Sequence, residues 1–257
     1  MWKRLVIGAA LVAGCGRAPV HTAATTPSQP FEPRPAYIPG ERTTWNVTWL
    51  NMKVATITMA VGQPGTVEGR PAITVRYEIA TAGLMRHLTN ARTEIAAILD
   101  ADSGMAIKTA GSVSHLYAGH PSRHATSGDL PWRRYDRPYY LEQLGTIGAA
   151  RGAWRGELGA LGYIPVRVRY KRFHLEMTAV RREAIGVPAG VIRCVRIEGV
   201  LRDVYRHHAE DFPYVAWISD DSARVPVRVE VRSGWVGSVK AELTRHYDPR
   251  RSATASR

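Results

Sequence analysis

The sequence predicts a mainly β protein: a single antiparallel β domain, built as a curved sheet, half-barrel or sandwich, with one helix packed near 138–152. Three observations carry this. Apolar and polar residues alternate over run after run between positions 37 and 247, the period of a strand with one buried and one wet face. Turn-forming clusters separate the runs. One stretch alone spaces its apolar residues as a helix does.

The first segment is a leader. Lys3 and Arg4 form a positive start, and Leu5 to Ala13 form the apolar run of a signal peptide. As a helix that run reaches about 13 Å, against a bilayer core of about 30 Å, so it engages export machinery without spanning. Val12-Ala13-Gly14-Cys15 resembles a bacterial lipobox, in which small residues admit the peptidase and the cysteine takes a diacylglyceryl group. Residues 1–14 are then a lipoprotein signal peptide and Cys15 the lipidation site. Acyl chains at about 0.8 kcal/mol per buried methylene give a stable anchor. Gly16, in place of an aspartate, favours the outer membrane, facing the periplasm. Residues 16–36 hold five prolines and little that could pack. With Cys15 they form a tether that extends to about 65 Å as polyproline II.

The β domain covers 37–247. TTWNVTW opens it, with Trp45, Val47 and Trp49 on one face. In AITVRYEI, Ile73, Val75, Tyr77 and Ile79 oppose Thr74, Arg76 and Glu78. PVRVRYKRFHLEM behaves similarly. In VPVRVEVR, Val225, Val227, Val229 and Val231 oppose Pro226, Arg228, Glu230 and Arg232. In WVGSVKAELTRHY, Trp235, Val239, Ala241, Leu243 and Tyr247 oppose Ser238, Lys240, Glu242 and His246. Such alternation marks antiparallel strands, because parallel ones read as continuous apolar runs. GQPGTVEGR, DADSG, GVPAG and SDDSAR supply the turns. The helix is PYYLEQLGTIGAARG, with Tyr140, Leu144 and Ile147 in register and Asp136 and Pro138 to open it. Its glycines at 145, 148 and 152 weigh against helix. The tail 248–257 reads as disordered.

The formal charge of +13 falls to +11 once Lys3 and Arg4 leave with the leader. Only five of the cations are lysine, and the arginines are dispersed over solvated strand faces rather than clustered. Acylation of Cys15 leaves Cys194 without a partner, as a small buried hydrophobe in a strand-like run.

Candidate chemistry is sparse. Ser219-Asp220-Asp221 offers adjacent carboxylates, but Asp and Ser form turns and neighbours on a strand point apart, so it reads as a hairpin turn that fixes register. His207-His208-Ala209-Glu210-Asp211 has zinc-ligand types at poor spacing. His115, His120 and His124 recur with Arg123, Arg133 and Arg134 in a solvent-facing loop at 115–137, near Trp132, Tyr135, Tyr139 and Tyr140. Export makes lipid headgroups or glycans better partners for that segment than nucleic acid. No nucleophile elbow, metal motif or phosphate-cradling loop appears, and no cofactor is implied.

PGERTTWNVTWLNMKVATITMAV resembles the start of the bacterial family called domain of unknown function 3108, with its Gly-Glu-Arg and aromatic first strand. WISDDSARVPVRVEVRSGWVGSVKAELT is similar to the family's closing hairpin, with Ser-Asp-Asp, Arg-x-Pro-Val and Gly-Ser-x-x-Ala-Glu-Leu. GVPAGVIRCVRIEG resembles the strand before it, and the helix falls where the family has one. The resemblance covers about residues 37–247. It implies an exported, mostly β, envelope-associated domain and brings no catalytic mechanism; the basic, histidine-rich residues 115–137 depart from it. The sequence therefore favours a non-enzymatic envelope lipoprotein that binds a lipid, a lipoprotein or an envelope protein. The alternative is a periplasmic hydrolase or metal-dependent enzyme using His207–Asp211 or Ser219–Asp221.

Overall fold

Alternation becomes strand almost everywhere it occurs. The computed structural model describes residues 36–117, 120–129, 141–154, 156–168, 171–204, 211–233 and 237–254. The leader, Cys15, the tether to residue 35 and His207–Glu210 lie outside these. Among the described residues the strands are β1 (Arg42–Trp49), β2 (Met52–Val67), β3 (Arg70–Thr81), β4 (Arg92–Asp100), β5 (Ala106–Tyr117), β6 (His120–Asp129), β7 (Leu141–Glu142), β8 (Gly159–Val168), β9 (Lys171–Val187), β10 (Gly190–Asp203), β11 (Phe212–Ser219), β12 (Pro226–Ser233) and β13 (Gly237–Tyr247). The helices are α1 (Leu84–Leu88), α2 (Gln143–Ala153) and α3 (Pro249–Thr254).

All the strands join one sheet, ordered β6-β5-β4-β3-β2-β1-β13-β12-β11-β10-β9-β8-β7. A single sheet, rather than the two packed sheets of a sandwich, is the form realised. One pair departs from it: β7 runs parallel to β8, with Leu141 opposite Val166, because α2 crosses over between them. The sheet curls far enough for the β9–β10 hairpin to reach β13, four places along, where Ala189 N–H donates to the Leu243 carbonyl at 3.1 Å.

Two apolar clusters fill the curl. The first runs from Trp45 through Met59, Val61, Val75, Tyr77 and Leu99 to Val227 and Leu243. The second joins Ile164, Val166, Met177, Val195, Ile197 and Ile218 to Ala149 and Ala153 of α2. Ile147 packs on the first cluster, so α2 bridges the two. Each fully buried aliphatic side chain of this kind is worth about 1.5–3 kcal/mol.

Several expectations need correction. The helix begins at Gln143, after the short strand β7, rather than near 138. Gly148 is a packing position: a Cβ there would lie 2.4 Å from the Tyr37 ring. Of the segment expected as a loop at 115–137, the described residues are strand, since β5 runs to Tyr117 and β6 pairs with it from Lys108↔Asp129 to Tyr117↔His120; Trp132, Arg133, Arg134, Tyr135, Tyr139 and Tyr140 lie outside the described residues. Strand β6 escapes notice because its sequence, HPSRHATSGD, has no apolar alternation. It is an edge strand, where polar residues and proline deter unwanted pairing. The tail carries α3, opened by Asp248, whose Oδ1 accepts from the Arg250 N–H at 3.0 Å. Five-residue α1 is too short to leave a periodic signal.

One bulge changes which residues face inward. In the β1–β13 ladder Trp45 opposes Leu243, while Thr44 opposes Arg245, so Thr244 is extra. An extra residue inverts the alternation beyond it. His246, expected on the polar face, turns inward opposite Thr43, and Tyr247, expected inside, is exposed.

Gly148→Ala tests the helix seat. The added methyl must displace the Tyr37 ring, so a loss of about 1–3 kcal/mol is expected in urea unfolding, with the far-ultraviolet spectrum unchanged.

Candidate functional site

Glu41 sits where the chain turns into β1. Gly40, at φ 79, makes that turn, and its N–H donates to the Val61 carbonyl at 3.1 Å while Val61 N–H donates to the Glu41 carbonyl at 2.9 Å. The Glu41 side chain thus points under α2, where it is fully buried, at 0% exposure. Arg151, on α2, is buried to the same degree. Its Nη1 donates to Glu41 Oε2 at 2.7 Å, and its Nε and Nη2 both donate to the Ala223 carbonyl. The second carboxylate oxygen accepts from His246 Nε2 at 2.9 Å. A carboxylate only accepts, so His246 carries its hydrogen on Nε2. Burial alone would raise the Glu41 pKa. The His246 hydrogen bond and the Arg151 charge outweigh it and hold the carboxyl below its ordinary value of 4.5. Tyr37 lies beside the pair, and burial pushes its phenol well above its usual range. Thr43 Oγ1 is buried here without a hydrogen-bond partner.

The Ser219–Asp221 turn closes the same region from the other side. Asp221 Oδ1 accepts from Ser219 Oγ at 2.7 Å, Ala223 N–H at 3.0 Å and Arg224 N–H at 3.1 Å. Ser219 Oγ in turn accepts from Val225 N–H at 2.8 Å. These bonds aim the Ala223 carbonyl at Arg151. Burial would raise the Asp221 pKa, but the Ser219 hydroxyl, the Arg224 amide and the Arg251 cation lower it below the ordinary range. Arg251 of α3 also pairs with Asp221 Oδ2. Asp220 diverges, its Oδ2 3.2 Å from Arg182 Nε. The adjacent carboxylates therefore serve separate partners, and the cluster is a turn, as its residue types suggested.

None of the other candidates that are described joins this site. Of His207–Asp211 only Asp211 is described; it pairs with Arg202 at 3.0 Å. His115, His120 and His124 lie on the β5–β6 hairpin at the sheet edge. Cys194 is buried, with its thiol pushed up to about 12 by burial, as expected of a packed, inert cysteine. Among the described residues no group of three or more His, Cys, Asp or Glu side chains is placed to hold a metal ion.

Several of the dispersed arginines among the described residues stack on tryptophan or pair with carboxylates. Arg196 and Arg228 lie on Trp217, each guanidinium carbon 5.5 Å from the ring centre. Trp217 donates to Glu183 at 2.7 Å, a bond that leads in lowering the Glu183 pKa. Arg182 and Arg224 likewise lie 5.8 Å from the Trp154 ring. Arg76 pairs with Glu94, and Arg228 with Glu242.

What fold and site define is a β domain locked by a buried ion pair between an entry turn and a helix. Comparison with known proteins carries the assignment one step further. Residues 157–244 match the family model described as "Protein of unknown function (DUF3108)". The match covers the closing strands of the resemblance read from sequence, from the start of β8 to β13. No curated protein matches the chain. Among solved structures, it is similar to a candidate lipoprotein from Parabacteroides distasonis ATCC 8503, at 10% identity and TM-score 0.37, over 85% of this chain and 100% of that one. It is also similar to a candidate exported protein with a YmcC-like fold from Bacteroides fragilis NCTC 9343, at 12% identity and TM-score 0.36, over 84% of this chain and 99% of that one.

Arg151→Met is expected to cost about 3–5 kcal/mol, because it strands the Glu41 carboxylate in the core. Glu41→Leu with Arg151→Met should recover part of that loss in chemical denaturation. The depressed Glu41 pKa sets a pH dependence. Its stabilisation is fully present above the unfolded value and is lost as pH falls through the lower folded value. Wild-type stability should therefore fall with acidification below about pH 4.5. Glu41→Gln should shallow that slope, measured as urea midpoint against pH.

Proposed function

We propose that the chain is an exported lipoprotein of the bacterial cell envelope, acylated on Cys15 and joined to the outer membrane, on its periplasmic side, by the tether to residue 36. Its work is binding or assembly rather than catalysis. The lipobox Val12–Cys15 and the family resemblance support the address. The observation that carries the role is the filled site: Arg151 and Glu41 have no exposed surface, and each of their charged groups is used inside the fold. A group so enclosed fixes shape and offers a substrate nothing. The packing of Tyr37, Ile38 and Ile147 against the sheet likewise supports a scaffold that presents its outer surface to an envelope partner, over a carrier holding an acyl chain within.

Protein purified from its native envelope in mild detergent gives the test. Intact mass spectrometry is expected to find a chain starting at Cys15 with covalent acyl groups and no further stoichiometric lipid, and Cys15→Ser to abolish the acyl mass. An unacylated wild-type chain overturns the anchor. An extra mass lost on organic extraction overturns the scaffold in favour of a carrier.

A further inference from the structure

Three pieces of chain meet at the end of the sheet remote from the Glu41–Arg151 pair: the β1–β2 turn at Leu50 and Asn51, Gly237 at the start of β13, and α1 after β3. Their proximity is direct: a Cβ on Gly237 would lie 3.4 Å from Leu50 Cδ2, and Gly83, before α1, abuts the Lys53 carbonyl. Ala82 N–H also donates to the Val54 carbonyl at 2.9 Å.

This end presents large apolar side chains to solvent. Leu50 is 59% exposed, Met52 48%, Leu84 65% and Leu88 57%. Leu84 and Leu88 stand one turn apart on α1, on one stripe. Leu50 is held at φ 48, a left-handed conformation that L side chains avoid and that Asn or Gly adopts readily. Its side chain gains little from the fold in return, so the position is costly for folding alone. Segments 48–54, 82–91 and 231–241 contain Lys53, Arg86, Arg232 and Lys240 and no aspartate or glutamate. Lys240 itself pairs with Glu242, just beyond.

We propose that this end, with Leu50, Met52, Leu84 and Leu88 ringed by Lys53 and Arg86, docks on an anionic phospholipid surface. Leucine and methionine side chains enter the acyl boundary while the cations meet headgroup phosphates. The tether permits it. The chain enters the domain at residues 36–41, roughly 25 Å away along β1 at about 3.4 Å per residue. A tether extending to about 65 Å lets the far end fold back onto the membrane that holds Cys15. The proposal deepens the envelope reading by naming the surface that the domain meets.

The test uses the mature chain from residue 15 with Cys15→Ser, which contains every described element and lacks the anchor. Its result does not depend on whether Cys15 is acylated in the cell. The chain is floated with vesicles of phosphatidylcholine alone or with about one third phosphatidylglycerol. Flotation is expected with the anionic vesicles and much less with the neutral ones, weakening as salt rises. Leu84→Ser with Leu88→Ser should lower partitioning at least about tenfold. Lys53→Glu or Arg86→Glu should lower it about fivefold or more each. These positions are on the surface, and unchanged thermal unfolding of each variant separates lost docking from lost folding. Val191→Ser, at an 80% exposed site on β10, should leave flotation unchanged. Absence of flotation overturns the proposal. So does flotation that these variants leave intact, that Val191→Ser reduces as much, or that neutral vesicles support equally.

Discussion

The fold turns on a carboxylate and a guanidinium with no access to water. Desolvating two such ions costs several kcal/mol each, and their attraction repays it only when every remaining donor and acceptor is used. Here they are. Glu41 spends its two oxygens on Arg151 and His246, and Arg151 spends its other nitrogens on the Ala223 carbonyl. The pair requires four pieces of chain in fixed positions: the turn before β1, helix α2, the loop between β11 and β12, and the end of β13. Ordinary apolar packing would tolerate a helix shifted by part of a turn. This arrangement does not, since any shift strands a charge. The interaction ties α2 to one position against the entry turn and the β11–β12 loop.

The surrounding features support that position. Gly40 supplies the positive φ that aims Glu41 inward, and Gly148 leaves room for the Tyr37 ring against α2. The Thr244 bulge turns His246 toward Glu41. Asp221 holds the loop that presents the Ala223 carbonyl, and Arg251 of α3 holds Asp221. The arginine-rich surface follows a different rule, in which guanidinium groups cover tryptophan faces and neutralise strand carboxylates. Much of the positive charge is thereby absorbed where it stands.

Strand alternation was legible because a half-buried strand must alternate. Ile73, Val75 and Tyr77 face inward as their spacing requires, and Val225 and Val227 do the same. The turns were legible from glycine, proline and aspartate. What escaped was set by long-range contact. Nothing local marks Arg151 as buried; only the carboxylate on a segment 110 residues away makes it a core residue. His246 was assigned the wrong face because no local signal marks the one-residue bulge. Strand β6 was missed because an edge strand takes its hydrogen bonds from one neighbour and needs no apolar face. The Gly-Glu-Arg and Ser-Asp-Asp motifs were visible as motifs, but that both serve one buried site depended on the tertiary fold.

The pairing of β1 with β13 at the middle of the sheet bears on how the chain comes to fold. The Glu41–His246 contact spans 205 residues, and the β1–β13 ladder spans nearly as many. Pairings so distant in sequence form slowly, because loop closure must come before any contact rewards it. A nascent chain lacking its last strand cannot join the two flanks of the sheet or partner both oxygens of Glu41. The hairpins of each flank pair locally, but only the last strand closes the sheet at its middle. The first and last strands thus act as a clasp that shuts only when the whole molecule is present.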